Sequence, residues 1–247
     1  MSPQKTTALI LSVLPYRETS AIIRVLTPEH GLVSAVAKGM LRRGSKAIYI
    51  DRGFLVEMLL YFRANRDLHT AGTIHPSLHY PSIRADLTKT MIRDAAFELI
   101  LKSLTQSASH PEAFDLAEEF LDRLETSDRE VSFPVLWHFI ISYCDGMGFG
   151  IDLQNCLSCA TPLHNKSASL LIDRGGMVCP GCAVQHNLSV QVSDGILSIF
   201  QQTALPRGFS ESPGECLRIT KMLYSWCRYH FDIRAPFNSI DFLESMI

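Results

Sequence analysis

Thr19-Ser-Ala-Ile-Ile-Arg-Val-Leu-Thr27-Pro-Glu-His-Gly31-Leu-Val-Ser-Ala-Val-Ala37 is the stretch that decides the first part of the fold. Its two halves are rich in β-branched residues and are separated by Pro28-Glu29-His30-Gly31. Proline presets a turn torsion and glycine tolerates the left-handed region, so the stretch reads as strand, turn, strand. The second run, Leu32–Ala37, alternates large and small residues as a half-buried strand does. Outward from this hairpin, Thr7–Leu14 reads as an earlier strand ended by Pro15, Phe54–Phe62 as a fourth and Leu68–Ile74 as a fifth. Valine, isoleucine, threonine and aromatic residues favour a pleated, half-buried surface. Five short strands joined by loops within residues 1–80 predict a small closed barrel of the OB type.

The charge of the whole chain is −2 and says little until it is divided. Residues 1–80 hold ten Lys and Arg against five Asp and Glu, whereas residues 81–247 hold thirteen against twenty. Such asymmetry points to an anionic partner for the basic part, nucleic acid being the usual one. The basic residues concentrate in a glycine-containing loop after the third strand, where Lys38, Arg42, Arg43 and Lys46 are predicted to contact the phosphate backbone. Arg17, Arg24, Arg63 and Arg66 extend this candidate DNA surface, and Tyr49, Tyr61 and Phe62 are candidates for stacking on bases. A non-enzymatic scaffold whose basic loop binds an acidic protein is the alternative, with a nucleic-acid-modifying enzyme third.

At Pro81 the period of the apolar residues changes. Leu87, Met91, Ala95 and Leu99 form one row four residues apart, and Ile92, Ala96, Ile100 and Leu104 form its neighbour, predicting an amphipathic helix. Ser109-His110-Pro111 breaks the chain before a second helix carrying Phe114, Ala117, Leu121 and Leu124. A third helix, with Ser132 as its expected N-cap and Asp145-Gly146 as its end, is apolar nearly all round and should be the buried centre of a bundle. Later, Ser193 is placed to cap a short helix, and Ser212-Pro213-Gly214-Glu215 reads as a capping box with proline at the first helical position. The expected organisation is a barrel over 1–80, helical segments over 81–153 and 186–247, and a small module over 154–185 between them.

That module contains Cys156-Leu-Ser-Cys159 and Cys179-Pro-Gly-Cys182. Two C-x2-C pairs at this separation match a structural zinc site, because a two-residue spacer lets one turn aim two sulfurs at one ion. Between them, Leu170–Asp173 and Gly175-Gly176 read as a short strand and a tight turn. Four sulfurs leave no open coordination position, so one Zn2+ bound by Cys156, Cys159, Cys179 and Cys182 should brace the fold and not catalyse. His164 and His186 are nearby alternatives. Disulfides are the competing reading, but seven cysteines is an odd number and Met1-Ser-Pro-Gln-Lys-Thr-Thr has no signal-peptide character, so a reducing cytoplasm is expected. A thioredoxin-like pair would sit at a strand-to-helix junction and have no twin. Cys144, Cys216 and Cys227 lie among apolar helical residues and read as core.

No catalytic residue is expected. Gly146-Met-Gly-Phe-Gly150 lacks the Lys-Ser/Thr of a nucleotide-binding P-loop, and no H-x-E, H-E-x-x-H or G-x-S-x-G motif is present. No apolar run is long enough for a membrane span.

Three features taken together resemble the bacterial recombination mediator RecO family. They are Thr27-Pro-Glu-His-Gly-Leu-Val-Ser-Ala-Val-Ala-Lys-Gly39, the following Arg42-Arg43-Gly44-Ser45-Lys46, and the cysteine pairs with Gly175-Gly176 before the second. The first matches the family's T-x-x-x-G-L-x-x-x-x-A-K-G strand, and the cysteines match its zinc-bearing members. There are two departures: Cys159 is followed by Ala160, where the family often has glycine, and Arg234-Ala-Pro-Phe-Asn-Ser239 stands where a more basic tail is usual. The resemblance implies a DNA repair and recombination protein that binds ssDNA and dsDNA, anneals complementary strands without ATP or another nucleotide, and helps load RecA onto SSB-coated DNA with RecR. It also implies recognition of the SSB C-terminal tail and a place at the nucleoid in the cytoplasm.

Overall fold

A computed structural model describes residues 3–41, 50–63, 65–106, 108–186, 191–202, 206 and 208–246. It divides into two compact units, one comprising residues 1–85 and 100–125, the other 86–99 and 126–247.

In the first unit, strands β1 (Gln4–Tyr16), β2 (Ser20–Thr27), β3 (Gly31–Ala37), β4 (Leu55–Tyr61) and β5 (Leu68–Leu78) close into a barrel in the order β1-β2-β3-β5-β4. This is the expected OB-type barrel. All pairings are antiparallel except β3 with β5, where Ser34–Ala37 run parallel to Leu68–Ala71 and complete the closure. Alanine and branched residues fill the interior: Ala8, Ile10, Ala21, Ile23, Val33, Ala35, Val56, Leu60 and Ala71 all belong to one buried cluster. Two strands run beyond their expected ends, through Pro15 and through Pro76. Pro15 pairs with Ala21 only, because the β1–β4 ladder stops at Leu9 and asks nothing of its missing N–H.

Helices α1 (Pro81–Ala85), α2 (Leu87–Ser103), α3 (Pro111–Thr126) and α4 (Ser132–Gly146) precede the cysteine module. The module contributes β6 (Ala168–Leu171), β7 (Gly176–Val178) and α5 (Pro180–Ala183), and β8 (Gln191–Val192), beyond the expected end of the module, pairs with β6. Then follow α6 (Asp194–Gln201), α7 (Pro213–His230) and α8 (Asn238–Met246). Strands β7-β6-β8 form a small antiparallel sheet, and Ile172–Gly175 make its first turn with Gly175 at φ 83°.

Helix α4, apolar nearly all round, packs at the centre of the second unit, as its sequence predicts. Trp137 is fully buried and donates from Nε1 to Thr220 Oγ1 at 2.9 Å, and that hydroxyl donates to the Cys216 carbonyl at 2.8 Å. Phe200 and Phe209 meet the Trp137 ring edge-on, so α4 is tied to both α6 and α7. Ser132 does not cap α4: its backbone is already helical (φ −61°, ψ −38°), because a 3-10 turn over Arg129–Val131 runs straight into the helix. An N-cap needs a non-helical backbone to swing its oxygen onto the first amides. Ser193 does cap α6, accepting from Ile196 N–H. At α7, Ser212 Oγ accepts from Glu215 N–H, but the Glu215 carboxylate is held by Arg218. Cys144, Cys216 and Cys227 are buried in the core.

Within the first unit, Gln106, Ala108 and Ser109 cover part of the barrel's outer face. Gln106 forms a bridge to Leu32 and donates to Ser34 Oγ, and Ser109 Oγ donates to the Pro28 carbonyl. The closest approach is at Gly31, whose φ is +59° and where a Cβ would lie 1.8 Å from the Ala108 oxygen. Both the left-handed backbone and the contact demand glycine there. Gly31→Ala is therefore expected to destabilise the protein by more than about 1 kcal/mol, read as a lower urea midpoint with an unchanged slope.

Candidate metal centre and nucleic-acid interface

The four module cysteines come together from two turns. In the first, Cys156 N–H donates to the Thr161 carbonyl and Ala160 N–H to the Cys156 carbonyl, both at 2.8 Å. Ala160 adopts φ 57°, a left-handed conformation that glycine would reach without strain, and these two bonds hold it there. In the second turn, Cys179 is the N-cap of α5 with proline next, so Cys182 comes round on the first turn of the helix. Leu157 N–H donates to the Met177 carbonyl and Met177 N–H to the Asp152 carbonyl, which stitches the first turn to β7.

The four Sγ atoms lie within 4.8 Å of one another, and those of Cys159 and Cys179 are 3.8 Å apart. Four sulfurs at the corners of a tetrahedron, each ~2.3 Å from one ion, are separated by ~3.8 Å. The residues fit a metal ion. Cys179 N–H also points at Cys156 Sγ, 3.3 Å away.

Hydrogen bonds from Thr161, first from its hydroxyl and then from its amide, bring the Cys159 thiol down to about 6. Backbone amides led by that of Cys179 also lower Cys156, against the opposing effect of burial. The cost of adding a further negative sulfur appears at Cys182, pushed up to about 12 chiefly by its contacts with Cys179 and Cys159. A divalent cation at the centre removes that opposition, and its binding releases protons. Thr161 escaped the sequence reading, since a threonine two residues past a C-x2-C pair has no signature of its own. His186 Nε2 lies 3.1 Å from Ser158 Oγ.

The predicted DNA residues fall into four groups. Arg42, Arg43, Lys46 and Tyr49 lie outside the described residues. Lys38 and Arg17 are exposed at one end of the barrel, where Leu41 N–H donates to the Thr19 carbonyl and ties the start of the basic loop to the β1–β2 turn. Arg63 and Arg66 are exposed in the β4–β5 connection at the opposite end of the strands. Arg24 is different. It is half-buried, its Nη2 donates to the Leu101 carbonyl in the last turn of α2, and burial lowers its pKa. It satisfies a helix C-terminus.

The stacking candidates also separate. Phe62 is enclosed between His30 and His69, with ring centroids 4.2 and 4.5 Å away, so both its faces are taken. Tyr61 is 36 % exposed.

The second unit holds a cavity of ≈ 480 Å3. Leu87, Met91, Phe133, Phe209 and Leu243 give it apolar walls, with Arg129, Glu130 and Glu211 also lining it. Leu87, expected on the buried row of α2, is 51 % exposed and belongs to this cavity's lining. Arg129 is oriented by Thr88 Oγ1, to which Nε and Nη2 donate at 3.0 and 2.8 Å, and by Asp86 at 3.6 Å. No helix among the described residues is long and apolar enough to cross a membrane.

Comparison with known proteins matches the family model of the recombination protein O N terminal to residues 1–76 and that of the recombination protein O C terminal to residues 84–237. A DNA repair protein RecO from Pelobacter propionicus is 30 % identical over 203 residues, 79 % of this chain and 78 % of the relative. The DNA repair protein RecO of Chlorobaculum parvum is 26 % identical over 259 residues and covers 98 % of both chains. That of Prosthecochloris aestuarii is 26 % identical over 94 % of this chain and 93 % of its own.

Elemental analysis of the purified protein should give one divalent metal ion per chain, lost in Cys179→Ser. A native disulfide among the four cysteines would contradict the centre.

Proposed function

The chain belongs to the recombination protein O family of DNA repair and recombination proteins, and we propose that it acts there as a non-catalytic mediator. On this reading it binds ssDNA and dsDNA through the barrel, anneals complementary strands without a nucleotide, and helps load RecA onto SSB-coated DNA together with RecR. Its place would be the cytoplasm, at the nucleoid. The observation that carries the reading is a closed OB-type barrel with exposed cations at both ends, Arg17 and Lys38 at one and Arg63 and Arg66 at the other. Arg42, Arg43 and Lys46, which follow Lys38 in the sequence, would add to the first group. Phosphate contacts of this kind give affinity without sequence preference, and neutralising two strands lowers their repulsion. The barrel would thus bind and pair strands by charge, with no bond made or broken.

We assign the metal as zinc. Thiolates are soft ligands, and a shell of four leaves no position for substrate or water, so the ion holds the β6–β7 hairpin against the first cysteine turn and takes no part in chemistry.

The cavity of the second unit suits the SSB C-terminal tail, an acidic segment with a hydrophobic end. Apolar walls would take the hydrophobic end, and Arg129, 64 % exposed at its side chain, would supply the cation. Glu130 and Glu211 oppose an acidic ligand, which makes Arg129 decisive. Arg129→Ala is expected to weaken a labelled tail peptide about ten-fold or more, as loss of a charge-assisted hydrogen bond does. Undiminished binding would move the tail elsewhere.

For the barrel, the affinity for an oligo-dT strand is measured against salt. Its logarithm should fall linearly with that of salt, and replacing both Arg42 and Arg43 by Ala should flatten the slope by about 1 to 2 units. An unchanged slope would remove that loop from the DNA site.

A further inference from the structure

We propose that Leu14, Ile22, Val36, Thr70 and Tyr61, a row of side chains crossing the outside of the barrel, is the track on which unpaired bases lie, with Tyr61 as the stacking platform. The inference rests on the reading of the barrel as a single-strand binder and specifies where the bases go.

The row follows from the register. Leu14 pairs with Ile22, Ile22 with Val36, Val36 with Thr70, and Thr70 with Tyr61. Directly paired residues share a face of the sheet, and their neighbours along each strand, among them Ile23, Ala35, Ala71 and Leu60, belong to the barrel core. The row therefore points outward, over ~19 Å of curved sheet at the usual strand spacing. Leu14 is on it because of a bulge. The β1–β2 register shifts between Ile10 and Ser12, and without that extra residue the alternation that puts Ala8 and Ile10 inside would bring Leu14 inside as well. The bulge instead leaves Leu14 54 % exposed.

Two further observations concern the ligand. First, the Tyr61 ring lies over Gly72: a Cβ there would be 3.1 Å from Tyr61 Cε2. The ring thus sits beside a residue with no side chain and stays partly open to solvent, which leaves room for a base against it. Phe62, next in sequence, has both faces covered. Second, the charges fit. The next row down, with Arg24 and Ser34, is covered by Leu101 and Gln106, whereas the open row runs between Arg17 and Lys38 at one end and Arg63 and Arg66 at the other. Glu18 and Asp67 stand among those cations and leave them in excess. An apolar and aromatic middle with cations on either side suits a strand whose bases stack while its phosphates pass along the edges.

The test uses the full chain, fluorescence anisotropy, an oligo-dT strand and an abasic strand of equal length. Tyr61→Ala should weaken dT binding about ten-fold or more, with little change in the salt slope and little effect on the abasic strand. Tyr61→Phe should bind as the parent does. Gly72→Val, which keeps the tyrosine but displaces its ring, should also weaken dT binding. Thermal unfolding of each variant separates this effect from loss of the fold. If the parent chain binds dT with the expected salt dependence and Tyr61→Ala leaves it unchanged, the track is wrong and the barrel reading stands. Equal affinity of the parent for both strands overturns the track in the same way. No binding of the parent to either strand removes the barrel reading itself. Unchanged dT binding with self-association lost in Tyr61→Ala would make the row an interface between copies.

Discussion

The parallel pairing of Ser34–Ala37 with Leu68–Ala71 is the constraint on which the first unit depends. Without it the strands form an open sheet with two exposed edges. With it every strand is hydrogen-bonded on both sides over part of its length, and its residues must alternate between inside and outside. Inside, small alanines share the space with larger residues, so Ala8, Ala21, Ala35, Ala37 and Ala71 stand beside Ile10, Ile23, Val33 and Met58. Outside, the residues divide by what covers them. Leu26 and Leu32 are fully buried and Gln106 bridges to Leu32, whereas Ile22 and Val36 on the same two strands remain half-buried. Residues 100–125 thus belong to the barrel's own unit through contact, although a long stretch of sequence separates them from β5.

The cysteine module follows a different logic, in which charge and not burial is the difficulty. Two stitched turns bring four sulfurs within 4.8 Å; backbone amides and Thr161 favour thiolate at Cys156 and Cys159, while contacts with Cys179 and Cys159 make ionisation harder at Cys182. A cation held by the four sulfurs would settle that conflict. Ala160 in a left-handed conformation adds a modest strain at the same turn, borne by the paired bonds between Cys156 and its neighbours.

The parts of the fold that rest on local pattern were legible from residues alone. The Thr27–Gly31 turn, the paired cysteines, the buried row Phe114, Ala117, Leu121 and Leu124, and the Ser193 cap all depend on neighbours a few positions away, and all stand as expected. What escaped depends on distant partners. Pro15 and Pro76 lie inside strands because of what their neighbouring strands leave unpaired. Ser132 loses its capping role to a preceding turn, and Glu215 loses half of its capping box to Arg218. Leu87 follows the helical period but faces a cavity. In the candidate site the same division holds: the cysteines announce themselves by spacing, whereas the bulge that exposes Leu14 and the glycine beneath Tyr61 acquire meaning only through register.

Arg24 shows why a charge count misleads as a description of a binding face. It contributes to the basic excess of residues 1–80, yet its guanidinium is turned to the Leu101 carbonyl and desolvated there. Lys5 is likewise paired with Glu57 at 2.9 Å. Arg17, Lys38, Arg63 and Arg66 instead lie exposed at the ends of the strands, and Ile22, Val36 and Thr70 between them carry no charge. Such a distribution is poorly suited to a single point anion, which would be drawn to one end or the other. A polyanion long enough to reach from end to end would gain from both, and on the proposed track whatever lies between its charged groups would rest on Ile22, Val36 and Tyr61.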